Sequence, residues 1–252
     1  MQDNSALGVA MALVVDLRER CPWDRAQTRE TLRPYLVEEA LELDDAIARE
    51  SVDEIRHELA DLILNVAFQL VIAEELGDFT AADVGRTLKR KIERRHPHLF
   101  DGGPKESWEI IKHRERDGDA GVLDGLPLTL PPLLMAQRLQ ERAAAVGFDW
   151  PDTAGPVAKV REELAECEAE LPTASPEANH HLHEEIGDLL FAVVNLARKA
   201  GVPPGVALDA ANRKFKARFA AMERLARARD LDVHTAGLEA LDRLWDESKS
   251  AS

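Results

Sequence analysis

Glu38-Glu39-Ala40-Leu41-Glu42 followed by Glu58-Leu59-Ala60-Asp61, and again Glu162-Glu163-Leu164-Ala165-Glu166 followed by Glu185-Ile186-Gly187-Asp188, decide how this chain folds. In a helix, residues three or four apart share a face. Glu39 and Glu42 therefore point the same way, as do Glu58 and Asp61. In an antiparallel hairpin, residues equally distant from the turn lie opposite one another. The pairs Glu39/Asp61 and Glu42/Glu58 are both centred on position 50. The pairs Glu163/Asp188 and Glu166/Glu185 share a midpoint between Ser175 and Pro176, in a proline-containing loop. Each half of the chain thus predicts four carboxylates in one patch between two facing helices.

The surrounding sequence supports that reading. Ser51-Val52-Asp53-Glu54 reads as a capping box that opens a helix, and Gly77 closes it. Within this run Leu59, Leu62, Ile63, Val66 and Leu70 recur at helical spacing, as the stripe of a helix packed on a core. The run 177–200 repeats the stripe with Ile186, Leu189, Leu190 and Val193, and Gly201 ends it. No segment alternates in the manner of a strand, so the expected fold is all-α. The segment 117–132 is rich in Gly, Pro and Asp and reads as a linker. It divides an N-terminal copy (1–117) from a C-terminal copy (133–252), with 118–132 between them. Lys91 and Arg95 answer Lys214 and Arg218 across it, and Trp108 and Lys112 answer Trp245 and Lys249. Four elements in the same order on both sides of a linker mark an internal repeat.

Bulk composition narrows the function. The 252 residues carry 47 acidic and 32 basic side chains, for a net charge of −15, and only 5% aromatics. That field repels a phosphate backbone, so nucleic acid is not an expected partner. Two distant cysteines, Cys21 and Cys167, make no disulfide framework and suit a reducing compartment. The start of the chain is interrupted by Asp16, Arg18 and Glu19, so it does not read as a signal peptide, and no run approaches a membrane span. The expected location is the cytoplasm.

Four clustered carboxylates repel one another unless a cation joins them. All-oxygen donors select hard ions, Mg²⁺ or Mn²⁺. A single EExxE is more often a solvated helix face, but the mirrored pair found twice favours a metal site. A di-iron carboxylate bundle needs Glu-x-x-His on two helices; Glu54 to His57 supplies one, and no second stands at a matching place. Lys214 and Arg218, one turn apart, can meet phosphates. Trp245 can stack on a base, although a tryptophan on a terminal helix more often packs in a core.

The order EExxE, ExxD, Lys-x3-Arg, Trp-x3-Lys, twice in one chain, resembles the MazG family of nucleoside triphosphate pyrophosphohydrolases. Cys21-Pro22-Trp23-Asp24, Arg94-Arg95-His96-Pro97-His98, Gly147-Phe148-Asp149-Trp150 and Asn212-Arg213-Lys214-Phe215 resemble it too, so the likeness covers nearly the whole chain. The resemblance implies an all-α homodimer that uses Mg²⁺ to cleave nucleoside triphosphates, ATP among them, between the α- and β-phosphates, with broad base choice. It implies an active C-terminal copy with Glu163, Glu166, Glu185 and Asp188 as metal ligands and catalytic groups. Lys159, Glu162, Glu163, His181, Glu184, Asp188, Lys214, Arg218 and Trp245 would line the nucleotide. In the first copy Glu39, Glu42, Glu58 and Asp61 form a second candidate metal site. There, however, Tyr35 stands opposite Lys159 and Phe68 opposite Asn195, which ranks that copy as structural or regulatory. Two rival readings are a narrow deoxynucleotide triphosphatase and a non-catalytic helical interaction module.

Overall fold

The computed structural model describes residues 5–103, 111, 121–171 and 176–250, and among these it contains helices and no strands. Trp108, Lys112 and Ser175 fall outside the described residues. The chain divides into two compact units, Met1–Lys105 and Glu106–Ser252.

In the first unit α1 (Ala6–Arg20) leads through the short α2 (Pro22–Arg25) into α3 (Arg29–Ala48), which folds back on α4 (Val52–Leu76). The turn falls where the mirrored acids require it, with Glu50 in the left-handed region at φ 57°. Ser51 occupies the N-cap of α4 but makes no side-chain cap bond, so the expected capping box is absent. Glu54 instead pairs with Arg49 at 3.1 Å, drawing its carboxylate away from the cap. Capping boxes form at Thr28 with Thr31 and at Thr80 with Asp83. Packing of α1 and α3 on α4 buries Val14, Leu32, Phe68, Val71 and Ile72, each worth roughly 1.5–3 kcal/mol of apolar burial. Arg18 clamps the two helices through two bonds to Glu75, at 2.8 and 2.7 Å. Beyond them lie α5 (Ala81–Arg95) and α6 (Pro97–Phe100).

The second unit repeats the plan. Here α7 (Pro132–Ala145) packs on α9 (Pro176–Lys199), and α8 (Ala154–Glu170) forms the antiparallel hairpin with α9. Then α10 (Pro204–Ala228) and α11 (Leu238–Ser250) close around Met222, Ala226 and Leu244. The stripe expected to face a core does so only in part. Ile186, Leu190 and Val193 are 45%, 55% and 44% exposed, while Ala192 and Val194 are buried. The face of α9 that meets α7 and α8 carries its smaller residues and its acids, which turns the large aliphatic side chains outward. Leu59 and Val66 on α4 are exposed in the same way, whereas Leu70 is buried.

Candidate functional site

The hairpin of α8 and α9 brings the second set of acids together. Glu163, Glu185 and Asp188 each place a carboxylate oxygen within 4.8 Å of the others, and Glu162, Glu163 and Glu166 form an overlapping trio. Glu163 is the innermost, at 3% exposure. One turn before it, Lys159 pairs with Glu163 and, at 2.8 Å, with Glu162. Those two acids hold the lysine charged, raising its pKa, Glu162 foremost. Loss of water, then Glu163 and Glu185, push the Glu166 carboxyl upward. Cys167 is raised as well, by burial first and by Glu185 second.

The first unit holds the corresponding trio of Glu39, Glu58 and Asp61. Burial and then Asp61 raise Glu39, while burial and then Glu58 raise Glu42. These are the partners that a hairpin centred on residue 50 sets opposite each other.

The two units differ in the residues beside the acids. In the second unit a cavity of about 790 Å³ opens against Glu163 and Asp188, with Lys159 at its edge. Its volume suits a small organic ligand. Leu139, Phe148, Trp150, Phe191 and Ala192 supply an apolar wall, while Gln140, Asn195 and Arg198 add polar groups. In the first unit Phe68 fills the position opposite Asn195 and lies in the core.

The aromatic wall depends on a turn. Gly147, at φ 91°, adopts a conformation that suits glycine. The Phe148 N–H donates to the Ala143 carbonyl at 3.0 Å and the Gly147 N–H to that of Ala144 at 3.0 Å, ending α7 in a Schellman turn. Trp150 then lies against Gly155, where a Cβ would stand 2.3 Å from the indole. Asp149, between the two aromatics, accepts from Arg198 at 2.5 Å and Lys199 at 2.9 Å. Arg198 above all, then Lys199, holds its carboxyl down to about 2. Thus the last turn of α9 anchors the segment that walls the cavity.

Two amides on the wall are oriented by their neighbours. Gln140 is 6% exposed, and its Nε2 donates to the Phe191 carbonyl at 2.9 Å. Its Oε1 is buried without a partner, an arrangement that costs roughly 1–3 kcal/mol. Asn195 Oδ1 accepts from Arg198 Nε at 3.1 Å and Nη2 at 2.7 Å.

Of the residues expected to line a nucleotide, the cavity wall carries Lys159, Glu163 and Asp188. Glu162 stays beside it through Lys159. His181 is exposed next to His180, and Glu184 lies 3.5 Å from His180. Trp245 packs with Phe215 at 5.3 Å between ring centres, and Lys249 stands over its ring at 6.0 Å. Lys214 is exposed, and Arg218 is half-buried with its Nε lacking a partner. The described cavity wall includes none of these last five. Sequence reasoning missed Gln140 and Arg198, and it noted Phe148, Asp149 and Trp150 only as part of a family-like segment. The contrast of Asn195 with Phe68 was the one signal for the polar wall.

Residues 27–100, spanning α3 to α6 of the first unit, match the MazG nucleotide pyrophosphohydrolase domain. A nucleoside triphosphate pyrophosphohydrolase of Escherichia coli K12 is 44% identical over 259 residues, covering 99% of this chain and 98% of its own. The chain belongs to the MazG family. A nucleoside triphosphate pyrophosphohydrolase/pyrophosphatase MazG of Thermotoga maritima is 44% identical over 236 residues, 92% of this chain and 90% of its own. The Bacillus subtilis protein YabN is 40% identical over 91% of this chain, which spans 48% of that longer relative. The matched MazG domain falls on the first unit, whereas the cavity beside the acids lies in the second. The relatives that establish the family cover both halves of the molecule.

Proposed function

We propose that this chain hydrolyses nucleoside triphosphates to the monophosphate and pyrophosphate in the cavity of its second unit. The observation that carries the reading is the trio Glu163, Glu185 and Asp188 at the wall of a 790 Å³ cavity lined with aromatic side chains. The full-length relatives named for that activity support it.

Clustered carboxylates with Glu163 buried fit a hard divalent ion, Mg²⁺ or Mn²⁺, better than they fit one another. Glu163, Glu166, Glu185 and Asp188 would hold it. When bound, such an ion neutralises phosphate charge and acidifies coordinated water. The chain does the rest. Lys159 pairs with Glu163 and stands on the cavity wall, within reach of a phosphate. Phe148 and Trp150 offer ring faces to a base and keep water from the apolar side. The first copy, with Phe68 in the place of Asn195, serves as a structural or regulatory partner that retains its own acids.

The exposed aliphatic stripe of α9, with Leu164 of α8 at 47% exposure, supports a homodimer. It is in that dimer that we place Lys214, Arg218 and Trp245 on the nucleotide. Two free cysteines and the absence, among the described residues, of a helix long and apolar enough to cross a membrane agree with a cytoplasmic enzyme.

The test is release of pyrophosphate and monophosphate from a panel of nucleoside triphosphates, with and without Mg²⁺. Turnover of several bases only with metal is the expected result, and silence from folded protein would overturn the reading. Glu163→Gln should fold and lose turnover. Activity left in that variant would have to come from the first copy and would refute its structural role.

A further inference from the structure

Gln140 and Asn195 stand on the same wall with opposite hydrogen-bonding polarity. Only an amide nitrogen can donate to the Phe191 carbonyl, so Gln140 holds Nε2 there and is left with Oε1, a buried acceptor without a partner. Arginine only donates, so Asn195 must turn Oδ1 toward Arg198, which leaves Nδ2 as the group it can present. Neither amide can flip without breaking a bond that fixes it. A buried acceptor without a partner is uncommon in a folded chain, and on a cavity wall it is met when a ligand brings a donor.

Position along α9 relates this pair to the acids. Asp188 and Asn195 are seven residues apart, so roughly 10 Å of helix separates them, with Phe191 and Ala192 of the cavity wall between. That is the reach of a nucleotide from its phosphates to the far edge of its base.

We propose that Gln140 Oε1 and Asn195 Nδ2 read the base of the bound nucleoside triphosphate, one accepting an N–H and the other donating to the acceptor beside it. The proposal rests on the nucleotide reading of the cavity and adds the device that sets its specificity. Every common base carries such a pair on its pairing edge. Adenine and cytosine set an amino group beside a ring nitrogen, while guanine and uracil set a ring N–H beside a carbonyl. Between these two classes the donor and the acceptor exchange places, so the fixed amides match adenine and cytosine in one pose and favour them over guanine and uracil and over a base that lacks the donor. In the first unit Val15 stands nine residues before Asp24, as Gln140 stands nine before Asp149, and Phe68 replaces Asn195. Neither residue can read an edge.

The test compares kcat/KM for ATP and for purine riboside triphosphate, which is ATP without its amino group, using the full-length protein. The parent should prefer ATP by about 10-fold or more. Gln140→Met removes the acceptor at similar volume and also removes an unsatisfied buried oxygen, so its thermal midpoint should not fall. It should lose ATP turnover to the level of the analogue and leave the analogue unchanged, bringing the ratio near one. Asn195→Asp keeps an acceptor for Arg198 but abolishes the donor, and it should raise KM for ATP more than it lowers kcat. Equal use of ATP and the analogue by the parent would overturn the proposal. So would a Gln140→Met loss shared equally by both substrates, or an Asn195→Asp variant with unchanged KM. Failure of the parent to cleave any nucleotide would overturn the reading of the cavity itself, a different result from indifference to the base edge.

Discussion

Replacing Asp149 by Asn removes one charge from the latch that fixes the aromatic wall while keeping an oxygen that can accept from Arg198. The cost follows from proton affinity. Arg198 and Lys199 hold the Asp149 carboxyl at about 2 against an ordinary 3.8. At about 1.36 kcal/mol per tenfold change in affinity, the whole difference is roughly 2.4 kcal/mol. The three side chains are 22%, 13% and 20% exposed, and solvent screening reduces the usable part to roughly 1–1.5 kcal/mol. That corresponds to a fall of roughly 2–6 °C in the melting temperature of the second unit at pH 7. Because the folded carboxyl binds its proton less tightly than the unfolded one, this stabilisation is fully present above pH 3.8 and is lost as pH falls toward 2. Urea unfolding of parent and variant, followed by circular dichroism from pH 7 down to pH 2.5, measures it. The gap in midpoint should be constant from pH 7 to about 5 and shrink below pH 4. A variant as stable as its parent at pH 7, or a gap that persists undiminished at pH 2.5, refutes the reasoning. KM should rise in the same variant, since Phe148 and Trp150 flank the released residue.

Added Mg²⁺ should raise the melting temperature more at pH 8 than at pH 5, because the ion competes with protons for carboxyls such as Glu166 and Glu39 that burial and their acidic neighbours push upward; an equal rise at both pH values would count against metal binding there. Gly155→Ala should displace the Trp150 indole and raise KM for nucleotides with little effect on the fold, which a crystal structure and steady-state kinetics would check together. Leu244→Ala, at a site 1% exposed among Met222, Ala226 and Trp245, should cost about 2–5 kcal/mol in chemical denaturation, and a loss below 1 kcal/mol would show that this cluster is not packed as described.

The hairpins were legible because their information is local and symmetrical. Once Glu39 and Asp61 are taken as opposed, the turn must fall near residue 50, and Glu50 takes the left-handed conformation there. The acids needed only the period of the helix and the length of the loop. The misread details are those in which a competing partner or an unseen face decides. Ser51 had the composition of a cap, but Arg49 drew away the glutamate that completes it. Ile186, Leu190 and Val193 had the spacing of a core stripe, and spacing alone does not say whether the face is covered by the same chain.

The cavity was the least legible feature, because its wall is assembled from α7, the turn after it, α8 and α9, which lie far apart in sequence. It is also where the two copies differ. Both carry the acids, both fold the hairpin, and both lay a preceding helix across it. In the first copy Phe68, in the place of Asn195, is buried in the core. In the second, Gln140 and Asn195 line the cavity and are oriented by Phe191 and Arg198. Duplicated acids beside different neighbours mean that the carboxylate motif alone does not locate the active copy. The side chains that line the adjoining space do.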